Sequence, residues 1–270
     1  MSNLTIGIPT YNKPELVKES LNRIIKIKDY VDVHIQDDYS KKESSSRLQT
    51  YIEYYQNKDM HITYKRNEEN FGAFRNKYKT IMNCKKEFVY LLDQDNLMSR
   101  NTLIYIKKNN GFELKKKTLY FPSEVYIFSK NLIYLDRMRK KNTIKPFIKE
   151  GSYSLGGLKN FIDGKNNDIT ITTTKHHSLR GTWLLNLGNF IVNKDKYLDF
   201  LEAPFNDPKL KIYSGDALAS VYYWIKNSGE LGTLDNLSHH HRLHDSSNWR
   251  ENQSEGMSII SNYLKKIKQL

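Results

Sequence analysis

The chain has 270 residues, with 43 lysines and arginines against 30 acidic residues, a formal charge of +13 and a pI near 9.4. That length buries a full core and fits one large domain, the single cysteine, Cys84, excludes an internal disulfide, and no apolar run approaches the ~18 residues of a membrane-spanning helix. The positive field attracts nucleic acid, anionic lipid headgroups or nucleotide diphosphates and does not choose among them.

Leu4-Thr5-Ile6-Gly7-Ile8-Pro9 predicts a short strand, closed by Pro9 and the turn-forming Thr10-Tyr11-Asn12. No basic segment precedes this apolar run, so a cytoplasmic chain is expected, free or at the inner face of a membrane. Pro14 opens a helix, with Asn12 or Lys13 near its cap and Val17, Leu21, Ile24 and Ile25 on one face. Val31 to Gln36 predicts the next strand, ending in Asp37-Asp38, and Ser44 to Tyr55 a polar helix. His61 to Lys65 reads as a strand, Ala73 to Met82 as a helix, and Glu87 to Leu92 as a strand running into Asp93-Gln94-Asp95-Asn96. Strands alternating with helices of this length predict βαβ units: an α/β fold with a mostly parallel central sheet flanked by helices.

The second half is less regular. Leu119 to Phe128 is β-like, Asn131 to Met138 has a helical pattern, and residues 142–175 read as loops around one short helix. Ser178 to Val192 reads as strand, turn, strand. Asp216 to Ile225 predicts a helix with Asp216 at its N-terminus, and Gly232 to Leu237 a strand running into His239-His240-His241-Arg242-Leu243-His244. Met257 to Leu270 predicts a basic amphipathic helix. The organisation expected is a ligand-binding half over residues 1–100, a second half of the same domain over 101–250, and the tail helix over 251–270.

Two carboxylates at the end of a buried strand call for compensation, because burying even one unpaired anion costs several kcal/mol. A divalent cation, Mg²⁺ or Mn²⁺, held by hard carboxylate oxygens and holding a phosphorylated ligand, is the simplest answer. In parallel sheets ligands bind beyond the carboxyl ends of the strands. Thr10, Asn12, Asp37, Asp38, Asn67, Asn70, Asp93 and Asp95 all fall there.

Four segments occur in order: Ile8-Pro9-Thr10-Tyr11-Asn12, Gln36-Asp37-Asp38-Tyr39-Ser40, Asn70-Phe71-Gly72-Ala73-Phe74-Arg75-Asn76, and Leu92-Asp93-Gln94-Asp95. Together they resemble the large bacterial family-two glycosyltransferases, which have the GT-A type of nucleotide-sugar-binding fold. The resemblance is strongest over the first hundred residues and continues through Ser214-Gly215-Asp216 and Arg242-Leu243-His244. It implies that Pro9, Thr10 and Tyr11 line the nucleotide base, and that Asp38 contacts the base or ribose. Asp37 either shares that role or caps the following turn. Asn70, Gly72, Arg75 and Asn76 then approach the ribose and diphosphate, although Arg75 could instead pair with Glu68 or Glu69 on its helix surface. Asp95 and Asp93 match the metal and sugar-phosphate motif, with Gln94 between them among the donor contacts. Asp216 matches the catalytic base, its alternative being a helix N-cap. Arg242 matches a diphosphate contact and His244 a metal ligand or phosphate donor.

The activity so implied is metal-dependent, inverting transfer from a nucleotide-diphosphate sugar, UDP-linked by preference, to a hydroxyl of a growing surface glycan such as lipooligosaccharide or capsular polysaccharide. Trp183, Tyr153 and the Gly181 to Asn189 loop are candidates for recognising the acceptor, since aromatics stack on sugar rings. Lys265, Lys266 and Lys268, beside Ile259, Ile260, Leu264 and Ile267, allow the tail helix to meet an anionic membrane, its own core or a second subunit in a homodimer. A sugar nucleotidyltransferase is the first rival, but Pro9-Thr10-Tyr11-Asn12 stands where its glycine-rich loop is expected. A nucleic-acid-binding protein would explain the charge but not the gathered carboxylates, which repel phosphate in the absence of a cation, so no specific nucleic-acid partner is expected.

Overall fold

The computed structural model describes residues 3–128, 145–148, 151–153, 169–172, 188–207, 215–242 and 253–270. Its first half is a run of parallel βαβ units: β1 (Leu4–Thr10), α1 (Pro14–Ile24), β2 (Asp32–Asp37), α2 (Lys42–Gln56), β3 (Ile62–Arg66), α3 (Gly72–Asn83) and β4 (Phe88–Leu91). Each lies within two residues of the span expected. Pro14 occupies the first turn of α1, where its missing N–H costs nothing, and Lys13 is the N-cap. Val17, Leu21 and Ile24 are fully buried, as their spacing requires.

Two short elements that the apolar pattern did not mark follow the acidic segment, β5 (Leu97–Met98) and α4 (Arg100–Asn109). The α4 helix starts on a capping signal, with the Ser99 hydroxyl accepting the Thr102 N–H at 3.2 Å. The chain continues through β6 (Thr118–Phe128), β7 (Lys145–Ile148), β8 (Gly151–Tyr153), β9 (Ile169–Thr172), β10 (Phe190–Asn193), α5 (Lys194–Asn206), α6 (Asp216–Lys226), β11 (Glu230–Arg242) and α7 (Gln253–Gln269). The helix expected over 131–138 and the first strand expected after Ser178 lie outside the described residues. Of the second expected strand β10 remains, and α5, unmarked in the sequence reading, follows it directly.

One sheet carries the site, in the order β3-β2-β1-β4-β10-β6-β11-β5, with β8 paired to β11; β7 and β9 form a separate ribbon. The strands β3, β2, β1 and β4 are mutually parallel, and so are β6 and β11. Antiparallel β10 is inserted between β4 and β6, pairing Phe190 with Leu91 and Ile191 with Tyr120. The second half of the chain therefore completes the sheet begun by the first.

Apolar side chains pack on both faces. One core gathers Leu21, Ile24, Leu48, Ile52, Leu103 and Ile106 from α1, α2 and α4; the other gathers Phe74, Tyr78, Tyr197, Leu218, Trp224, Tyr263 and Ile267 from α3, α5, α6 and α7. The tail helix belongs to this second layer. Tyr263 and Ile267 are buried, and Ile259, Ile260 and Leu264 pack beside them. Of the three destinations open to its apolar stripe, the protein's own core is the one taken.

Candidate active site

The carboxyl ends of β1, β2 and β4 meet in a compact hydrogen-bonded corner. Thr10 donates to Gln94 Oε1 at 2.7 Å and the Tyr11 N–H to the same oxygen at 2.9 Å. Gln94 is thus the clasp between the β1 turn and the acidic loop. The turns after β1 and β2 are laced in both directions, with the Asn12 N–H donating to Ser40 Oγ at 2.8 Å and the Lys41 N–H to Asn12 Oδ1 at 2.7 Å. Pro9 is a buried residue of β1, paired with Gln36, while Tyr11 leaves its ring 40% exposed.

Asp37 takes the turn-capping alternative. It is fully buried and accepts from the Ser40 N–H at 3.0 Å, from the Ser40 hydroxyl and from Tyr64 Oη at 3.0 Å. Asp38 reaches the start of α3, where Oδ1 accepts from Asn67 Nδ2 at 2.8 Å and the Phe71 N–H at 2.9 Å, and Oδ2 from the Gly72 N–H at 2.9 Å. It satisfies amides that helix geometry leaves without partners. Burial holds its carboxyl above the usual carboxylate range, opposed in part by the hydrogen bonds from Phe71, Asn67 and Gly72. Asn76 is buried and accepts from Asn67 at 2.9 Å, while Asn70 is exposed and donates to the Asp38 carbonyl at 3.2 Å. Arg75 donates to the Asp207 carbonyl at 2.6 Å, reaching away from its own helix.

The acidic pair forms the centre. Asp93 Oδ1 lies 2.8 Å from Lys77 Nζ, and the same ammonium lies 2.8 Å from Asp216 Oδ2. The contact to Asp216 matches the other in length but lies off the hydrogen-bond direction. Lys77, 8% exposed at its side chain, thus joins the carboxylate after β4 to the one opening α6. Burial opposes its charge, but Asp216 and Asp93 outweigh it and hold the ammonium above the usual lysine range. Burial pushes Asp93 up to about 7 against the pull of Lys77, with Asp216 and Asp95 adding to the rise. Asp216 is the first residue of α6 and makes no cap hydrogen bond; Gly215, with φ +77°, holds the cap position. The N-cap alternative for Asp216 is therefore set aside.

Asn189 and Gly188, read in the sequence only as part of a loop for the acceptor, are set against Asp93. The Asn189 Oδ1 accepts the Asp93 N–H at 2.8 Å, and Asn189 Nδ2 meets His239 Nε2 at 3.1 Å. An amide NH₂ donates, so Nε2 accepts and His239 is neutral with its proton on Nδ1. Burial, reinforced by His241 and His240, holds that ring well below the usual histidine range. Gly188, with φ +76°, presses on the ion pair. A Cβ there would stand 2.2 Å from Asp93 Oδ2 and 2.6 Å from Lys77 Nζ, so only glycine fits. A glycine and an asparagine in a loop carry no distinguishing pattern, and only the return of β10 beside β4 shows their use.

Asp95 is partly buried, and its carbonyl accepts from Arg242 Nε at 3.4 Å. The Arg242 N–H donates to Asn96 Oδ1 at 3.2 Å, and its guanidinium pairs with Glu19 of α1. The end of β11 therefore meets the acidic loop. His239 and His241, two apart on the strand, have ring centroids 6.2 Å apart, as side chains sharing one face do. His244 and Trp183 lie outside the described residues. Tyr153, in β8, pairs through its backbone with Leu231 of β11. Among the described residues no group of three metal-ligating side chains converges. Two carboxylates one residue apart suit a hard cation that takes its remaining ligands from phosphate and water.

Residues 5–108 match the model of glycosyl transferase family 2. An uncharacterized glycosyltransferase of Methanocaldococcus jannaschii is 27% identical over 128 residues, covering 45% of this chain and 43% of its own. The chain thus spans less than half the length of that relative. Among solved structures, TarS (residues 1–349) of S. aureus in complex with UDP-GlcNAc superposes with a TM-score of 0.54 and 16% identity, over 97% of this chain and 66% of that one. A mannosyltransferase from Pyrobaculum calidifontis in complex with GDP-Man and Mn²⁺ gives 0.56 and 14%, over 98% and 69%. Residues 5–108 thus form a glycosyl transferase family 2 domain, set in a chain whose fold is of the GT-A type.

Proposed function

We propose that the protein transfers a sugar from a nucleotide-diphosphate sugar, UDP-linked by preference, to a hydroxyl of a surface glycan, with inversion at the anomeric carbon. The observation that carries this reading is the ammonium of Lys77 lying 2.8 Å from both Asp93 and Asp216. It gathers a carboxylate suited to the donor and one suited to the acceptor around one point. The acceptor oxygen bonds to the anomeric carbon as the bond from that carbon to the diphosphate breaks, and Asp216 receives the hydroxyl proton. Lys77 holds the Asp216 carboxylate in place before the acceptor arrives. Asp95, with Asp93, would hold the divalent cation, which when bound supplies charge stabilisation for the departing diphosphate. Structures of the same fold with bound Mn²⁺ and nucleotide sugars support this cofactor and donor class.

Release of free nucleotide from a panel of UDP-, GDP-, CMP- and dTDP-sugars, with Mn²⁺ or with EDTA, tests the activity. Asp216→Asn is expected to lower turnover by about 10²- to 10⁴-fold and to leave donor binding intact. Asp95→Asn is expected to abolish the metal-dependent part of donor binding. An active Asp216→Asn enzyme would retire the base assignment, and release of pyrophosphate from a nucleoside triphosphate would favour a nucleotidyltransferase.

A further inference from the structure

Tyr39 has φ +65°, in the left-handed region that a bulky side chain ordinarily avoids. It stands two residues beyond the end of β2, and its neighbours are fastened on either side. The Asp38 N–H donates to the Thr10 carbonyl at 2.9 Å, and Ser40 is bound through its N–H and hydroxyl to buried Asp37. The backbone conformation is therefore imposed by its surroundings. Such conformations cost of order 1–3 kcal/mol and cluster where a side chain is held for use.

The ring gains no compensating burial, being 47% exposed. One of its faces is covered by Arg66, whose guanidinium carbon stands 4.3 Å from the ring centroid. Arg66 is itself anchored, donating to the Ser40 carbonyl at 2.8 Å and lying 3.7 Å from Asp37 Oδ2. A strained, half-exposed aromatic ring with a guanidinium over it is a rigid platform. Tyr11, also exposed, follows the end of the neighbouring strand, where Thr10 and Asp37 are register partners. No other pair of neighbouring strand ends in the parallel sheet presents two such rings among the described residues.

We infer that Tyr39, backed by Arg66, is a donor-binding residue whose ring stacks on the base of the donor nucleotide. The inference rests on the function proposed above, and it adds to the base or ribose contact implied for Asp38 a stacking contact made by Tyr39. Stacking requires a π face and no hydrogen-bond pattern, so the platform contributes affinity whichever base the donor carries.

The test is titration calorimetry with UDP, GDP, CDP and inorganic pyrophosphate, each in excess Mg²⁺, on the full chain and on Tyr39→Phe, Tyr39→Leu and Tyr39→Gly. The glycine variant relieves the backbone conformation, and a melting curve shows that it is folded. Tyr39→Gly and Tyr39→Leu are expected to weaken the nucleotide bound best by roughly 5- to 150-fold, the range of one base–aromatic stack. Tyr39→Phe keeps affinity, and pyrophosphate binding does not change. If the unaltered protein binds none of the nucleotides, the proposed function fails with it. If it binds one and Tyr39→Gly binds it equally well, only the platform is overturned. Equal weakening of nucleotide and pyrophosphate would also overturn it, because the turn would then act on the site as a whole.

Discussion

Lys77 is the residue on which the acidic centre balances. Taking it away leaves two largely buried carboxylates facing each other with no cation between them. Breaking a buried pair in this way costs about 3–5 kcal/mol, so Lys77→Met is expected to lower the free energy of unfolding by that order in urea titration. Lys77→Arg is expected to recover part of the loss; equal stability of Lys77→Met and the unaltered protein would show that the two anions do not depend on the ammonium. The carboxylates themselves were legible in the sequence, since Asp93 and Asp95 close an apolar run and Asp216 opens a helix. Lys77 was not. It is one of many lysines in a basic chain, and nothing local separates it from the solvated majority; only three-dimensional closure of α3 against the ends of β4 and α6 brings it inside. The same holds for Gly188 and Asn189, whose task is defined by atoms almost a hundred residues earlier in the chain.

At the scale of the element, the parallel first half was readable because each strand there is a short apolar run stopped by a polar turn. The inserted strand β10 was harder, since an antiparallel strand from a distant segment leaves the alternation of strands and helices unbroken. The β2 strand carries its own surprise in His34, buried mid-strand, with Nδ1 2.8 Å from Thr63 Oγ1 and Nε2 3.1 Å from Gln36 Oε1. Burial holds this ring below its ordinary value, with Lys65 assisting and the Gln36 hydrogen bond opposing. A histidine kept neutral by the fold takes up a proton more readily once the chain unfolds, so acid favours the unfolded state. The stability it supports is complete above a pH of about 6.5 and is lost as pH falls below that value. His239 acts in the same direction. Melting temperatures between about pH 7.5 and 5 are therefore expected to fall with acidity, and His34→Gln to flatten the slope without removing it. Parallel curves for the two proteins would show that the His34 ring takes up its proton as readily in the fold as in the unfolded chain.

Across the whole molecule, the +13 charge and the amphipathic tail left a membrane surface open as a destination. The tail helix instead closes the second core, with Ile267 fully buried and Gly215, just ahead of Asp216, lying against Ile259 and Ile260. Its amphipathicity was legible, but its partner was not, because an apolar stripe records that something must cover it and not what. Ile267→Ala is expected to cost about 2–5 kcal/mol, measured by thermal or urea unfolding. No change in stability on that substitution would mean that the helix undocks in solution.

The insertion of β10 also sets an order in time. As the polypeptide leaves the ribosome, β4 can pair with β1 at once, but its other edge stays bare until about a hundred further residues have emerged. Through that interval Asp93 lacks Asn189, Lys77 lacks Asp216, and an unpaired strand edge is open to any passing chain. The nascent N-terminal portion therefore holds an incomplete acidic centre, and the site closes only late in synthesis.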